Sequence, residues 1–170
     1  ESCLIGIAAG GLMGGLNGVL IHCTGINFFV LTLASSGMLR GVSLMITDGK
    51  PVTKFGKEFM QLGIGRIGEL QLPVLFALAL ILIFFPLLFH TKLGNYIQAL
   101  GGSETALKRA GVRTGFYRIF VHVFLGITAA VTAIIITARL NSAEPNAGMN
   151  MEFDAVTAVI MGGTPIRGGT

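Results

Sequence analysis

The chain has 170 residues, of which 52% are hydrophobic and 12% charged, whereas soluble domains carry roughly 25% charge. The formal charge is +4, yet no basic stripe interleaved with aromatics occurs, which excludes a nucleic-acid-binding surface. Cys3 and Cys23 form no C-x-x-C pair and have no histidine at ligand spacing, so neither a disulfide framework nor a zinc site is expected.

From Ser2 to Leu39 there is no Lys, Arg, Asp or Glu. That is too long for one membrane span of about 20 residues, and the turn-prone cluster Gly25-Ile26-Asn27 divides it. A first span is expected at about 4–24. Within it Gly6, Gly10, Gly14 and Gly18 recur every four residues, a spacing that puts small residues on one face for close approach of another helix. A second span is expected at 28–47. It contains Arg40, and an arginine at mid-membrane depth costs about 2.5 kcal/mol or more. Either Arg40 lies on a protein-facing surface, or the segment breaks near Ser35-Ser36-Gly37, as helices do where they line a pathway.

Residues 48–71 read as a mixed polar connector. It holds Gly63-Ile64-Gly65-Arg66-Ile67-Gly68, formally G-x-G-x-x-G. A dinucleotide site needs a strand before that motif, a helix after it and an acid about 20 residues on. Here an apolar span follows at once and the next acid after Glu69 is Glu104, so the dinucleotide reading is rejected. The third span, 72–91, reads LPVLFALALILIFFPLLFHT, with no charged residue and with Pro86 expected to kink it. At 1.5 Å per residue such a helix reaches about 30 Å, the thickness of a bilayer's hydrocarbon core.

Segment 92–118 carries Lys92, Lys108, Arg109, Arg113 and Arg118 against Glu104 alone. The excess of basic residues places it in the cytoplasm, which puts loops 48–71 and 139–154 outside. Ser103 reads as a helix N-cap, Glu104 suits the positive end of the helix dipole, and Lys108 and Arg109 suit its other end. Gly111 then stops a helix of about seven residues. So short a helix between two spans makes sense as a knob that docks into a groove of a soluble partner. A fourth span is expected at 119–138, interrupted only by His122, followed by a net acidic region with Arg139, Glu144, Glu152 and Asp154. The apolar run 155–161 is too short to cross. The chain opens inside an apolar run and stops at GGTPIRGGT, so it is expected to be a fragment of a longer protein.

No catalytic constellation stands out. His22, His90 and His122 lie in or beside apolar segments without an acid or cysteine at useful spacing, and no G-x-S-x-G, H-E-x-x-H or G-x-x-x-x-G-K-[ST] is present. The chain is therefore expected to be no enzyme and to hold no cofactor, and any coupling to ATP needs another polypeptide.

Four pieces carry a resemblance. They are Thr32-Leu33 through Leu39-Arg40-Gly41 with Thr47-Asp48-Gly49; His90-Thr91-Lys92-Leu93-Gly94; Ala99-Leu100-Gly101-Gly102-Ser103-Glu104 through Ala110-Gly111-Val112; and Arg139-Leu140-Asn141-Ser142-Ala143-Glu144-Pro145 with Gly148, Glu152, Asp154-Ala155 and Gly162-Gly163-Thr164. In these the chain resembles, over essentially its whole length, the permease subunits of bacterial ABC importers for simple sugars of the ribose type, in the family that also includes branched-chain amino acid permeases.

The resemblance implies a multi-pass protein of the bacterial inner membrane, all-α, a helix bundle with broken or re-entrant helices forming a single transmembrane domain. It implies a second permease copy or homologue, a cytoplasmic ABC ATPase, and a periplasmic or lipid-anchored sugar-binding protein as partners. Glu104, Ala106 and Gly111 are similar to the E-A-A…G coupling loop of ABC importers, although Thr105 replaces an alanine and the glycine follows the glutamate by seven residues. With Gly101, Gly102, Lys108 and Arg109 they form the expected ATPase-coupling set. Asn17, Ser35, Ser36 and Arg40 are candidates for the translocation path, and Gly10, Gly14 and Gly18 for helix packing. Three alternatives stay open: a permease for branched-chain amino acids or another small solute, a secondary transporter without an ATPase, and a membrane scaffold that only recruits a partner.

Overall fold

A computed structural model describes residues 2–163. Thr164, the last residue of the fourth piece, lies outside the described residues. In chain order the elements are α1 (Ser2–Thr24), α2 (Phe28–Thr47), β1 (Val52–Thr53), α3 (Lys57–Ile64), β2 (Arg66–Ile67), β3 (Leu70–Gln71), α4 (Leu72–His90), α5 (Lys92–Gly102), α6 (Glu104–Arg109), α7 (Thr114–Leu140), β4 (Ser142–Ala143) and α8 (Met151–Met161). The protein is mostly helical, and α1, α2, α4 and α7 are each long and apolar enough to cross a membrane. None of the residues of α4 is buried, and Ile81, Leu82 and Ile83 are about 60% exposed. Such a surface would be untenable in water and costs nothing against lipid.

α1 and α7 form the most extensive helix pair. The glycine stripe explains how closely they approach. Gly6 lies beside Ile134, Gly10 beside Gly126 and Ala130, Gly14 beside His122 and Gly126, and Gly18 beside Ile119. Partner numbers fall as the glycine numbers rise, so the two helices are antiparallel. A β-carbon at Gly10 would meet Gly126 O and the Ala130 β-carbon at 2.6 Å, and one at Gly18 would meet Ile119 Cα at 2.9 Å. Backbone therefore lies against backbone, which only a glycine face permits.

The helix ends sort into two groups. At one end, β1 in the 48–71 segment pairs antiparallel with β4 after α7, Val52 opposite Ala143 and Thr53 opposite Ser142. There Gly63 of α3 packs on the backbone of Ala138 and Arg139, and Ala138 is fully buried. Residues 48–71 are thus more than a connector, since they hold a helix and a small hairpin, β2–β3. At the other end the first residues of α7 meet the last turn of α1, where the His22 ring fills the space a side chain on Gly115 would need.

Three boundaries differ from the sequence expectation. α2 runs unbroken through Ser35-Ser36-Gly37. Arg40, half-buried, lies seven residues from the end of this helix, about 10 Å along its axis, within reach of a snorkelling stem. α7 begins at Thr114 rather than 119, so Arg118 belongs to the helix and not to the loop. Finally, Lys92–Gly102 is helical, and Gly101 and Gly102 occupy its last turn. Pro86 sits inside α4, four residues before its end.

Candidate functional site

The connection between α4 and α7 is built from the chain's polar residues. Thr91 ends α4 and caps α5, its hydroxyl oxygen accepting from Gly94 N–H at 3.2 Å. Gly94 is buried against the Leu88 backbone, where any side chain would collide. Gln98 then donates from Nε2 to Leu88 O at 3.3 Å, so α5 folds back onto the end of α4. Tyr96 of α5 stacks at a tilt on Tyr117 of α7, ring centres 5.3 Å apart, and this docks α5 on the fourth membrane helix.

α6 is defined by its caps. The Ser103 hydroxyl oxygen accepts from Ala106 N–H at 3.3 Å. At the other end Gly111 N–H donates to Lys108 O and Val112 N–H to Leu107 O, both at 3.1 Å, with Gly111 at φ +77°. These are the two bonds of a Schellman stop, and the left-handed residue is one only glycine adopts freely. Of its side chains, Leu107 is buried and Glu104 partly so, three positions apart on one face of the helix. Gly101, Gly102, Ala106, Lys108, Arg109 and Gly111 are all exposed. The free surface is consequently small, positively charged and without large apolar side chains.

Glu104 faces inward. Its Oε1 lies 2.9 Å from Lys108 Nζ, its Oε2 pairs with Arg118 Nη2, and Thr114 donates from Oγ1 to Oε1 at 3.4 Å. Thr114 is 4% exposed. A hydrogen bond from the Lys108 ammonium does most to hold the Glu104 carboxyl below its ordinary range; partial burial opposes it, and Arg118 adds to the lowering. Leu107, Thr114, Arg118 and the Tyr96–Tyr117 pair had no place among the sequence candidates. Leu107 was findable, as the one large apolar residue of α6, three after Glu104. Thr114 gave no signal.

The pathway candidates separate. Ser35 Oγ donates to Asn17 Oδ1 at 2.7 Å, joining α2 to α1. Ser36 instead bonds Leu33 O in its own helix. Arg40 has no ion pair among the described residues. His122 donates from Nδ1 to Arg118 O at 2.8 Å, a bond within α7. A cavity of about 350 Å³ between α4, α5 and α7, lined by Phe84, Leu88, Ile97, Phe120 and Phe124 among others, offers one hydroxyl, that of Thr128. It is too apolar for a sugar, which needs several convergent hydrogen-bond partners.

No solved structure matches the chain. Among curated proteins, it is 38% identical over 167 residues to the ribose import permease protein RbsC of Escherichia coli K12, covering 96% of this chain and 52% of that protein. It is 35% identical to the D-allose transport system permease protein AlsC of the same strain, over 96% of this chain and 50% of the relative. The L-arabinose transport system permease protein AraH is 35% identical over 99% of this chain and 53% of the relative. The chain thus spans about half the length of the curated relatives it matches. The family model described as branched-chain amino acid transport system, permease component, matches residues 2–169, and the chain belongs to that family.

Proposed function

We propose that this chain is part of the membrane-spanning subunit of an ATP-driven importer that carries a simple sugar across the bacterial inner membrane. The observation that carries this reading is α6, a six-residue helix capped at both ends, exposing small and basic residues and backed by α7. Such a knob suits a groove on a cytoplasmic ABC ATPase. The names of the relatives, which mention ribose, allose and arabinose, favour a sugar over an amino acid.

The excess of basic residues around α5, α6 and the start of α7 puts that end in the cytosol. The β1–β4 end, with α3, then faces outward, where a binding protein delivers substrate. Since the cavity described above is apolar, a polar path needs surfaces beyond this chain's own bundle, as a second permease copy would supply. Asn17 and Ser35 are the polar pair on the α1–α2 face open to such a partner.

The test is uptake of labelled ribose, allose and arabinose by cells carrying the full-length permease with or without its ATPase. Uptake of a sugar that requires the ATPase supports the reading. Uptake that persists without the ATPase identifies a secondary transporter, and uptake of leucine instead moves the substrate to the amino acid branch.

A further inference from the structure

We propose that Glu104 is a positioning residue that braces the coupling helix against the transmembrane helix behind it, rather than a contact to the ATPase. This rests on the coupling role proposed for α6. A carboxylate has about four acceptor sites, and three are engaged by this chain: Lys108 on α6, Thr114 and Arg118 on α7. Lys108 keeps its side chain 59% exposed, while Arg118 and Glu104 are 23% and 28% exposed. The bond from Glu104 to Arg118 is therefore turned inward, and Lys108, Arg109 and Ala106 remain to meet a partner.

The brace continues into the membrane. Arg118 O accepts from His122 Nδ1 at 2.8 Å. The His122 backbone lies directly against Gly14 of α1, and the Ile119 backbone against Gly18. A push on α6 thus reaches α7 through an ion pair near its first turn, and α7 passes it to α1 where backbone meets backbone at Gly10, Gly14 and Gly18. Leu107, buried three residues after Glu104, gives the same face an apolar anchor. A helix of six residues, too short to hold its shape alone, becomes a rigid handle.

The experiment is a double-mutant cycle in the full-length permease, reconstituted with its ATPase and binding protein, read as sugar imported per ATP hydrolysed. Glu104→Gln and Arg118→Gln should each lower that ratio by roughly fivefold or more, and the pair together should lower it no further than either alone. Arg118→Lys should recover much of the loss. Co-purification of the ATPase with the two single variants, the double variant and Arg118→Lys shows that the complex still assembles. Losses that multiply in the double variant, or loss of the ATPase from Glu104→Gln but not from Arg118→Gln, overturn the brace and make Glu104 a direct contact. If Ala106→Arg leaves both the ATPase association and the ratio intact, the coupling role of α6 itself fails, and the brace fails with it.

Discussion

Replacing Gly14 tests the packing on which the bundle depends. A β-carbon at this position would overlap His122 O and meet Gly126 Cα at 3.1 Å. Both neighbours are backbone, so no rotamer change relieves the clash and α1 must move away from α7. Overpacking of this kind costs about 1–3 kcal/mol. Alanine gains back roughly 1 kcal/mol of helix propensity over glycine, so Gly14→Ala should be destabilising by about 0–2 kcal/mol. In Gly14→Leu the propensity gain is similar and the steric cost far larger. Gly37 of α2 is the control, because a β-carbon there meets nothing within 4 Å. Gly37→Ala should be neutral or stabilising by up to about 1 kcal/mol. The assay is thermal stability of the full-length protein in detergent, followed by size-exclusion chromatography after heating. Gly14→Leu should lower the midpoint by several degrees and Gly37→Leu should not. Equal losses at the two sites would refute the antiparallel glycine contact.

Three further outcomes are expected. Gly111 has φ +77° and open space around it, so Gly111→Val should cost about 1–2 kcal/mol through the backbone alone, and Gly111→Asn clearly less; thermal stability of the two variants checks this. The Glu104 carboxyl is held below its ordinary range, so its contribution is complete above about pH 4.3 and is lost as pH falls through the lowered value; at this exposure it amounts to about 1 kcal/mol or less. The stability gap between wild type and Glu104→Gln should therefore be constant near neutrality and close as pH falls through that lowered value. Cysteines at Val52 and Ala143, antiparallel neighbours in the β1–β4 ladder, should oxidise to a disulfide in a background with Cys3→Ser and Cys23→Ser; a non-reducing gel after cleavage between the two positions shows whether the halves stay joined.

The membrane helices were legible because they answer to a single condition, enough apolar residues to cross lipid. The run 72–91 and α4 coincide to within a residue. The caps of α6 were legible for a similar reason, since Ser103 and Gly111 act on their own neighbours. α5 was missed because Lys92–Gly102 ends in two glycines and its stability comes from Thr91, Gly94 and Tyr96 meeting α4 and α7. α7 starts five residues earlier than the sequence suggests because Arg118 reads as a loop charge until its partner, fourteen residues earlier, is known. α3 depends on Gly63 touching Ala138, a contact across 75 residues that no local pattern announces. The same holds for Glu104, whose residue type fitted a partner-facing role while its geometry turns it inward.

The most direct test is the sidedness of α6. With Cys3 and Cys23 changed to serine in the full-length protein, Ala106→Cys is treated with a membrane-impermeant maleimide in intact cells and in inverted vesicles. The account predicts labelling in inverted vesicles only, and protection there when the ATPase is bound. Labelling from the outside of intact cells would contradict it.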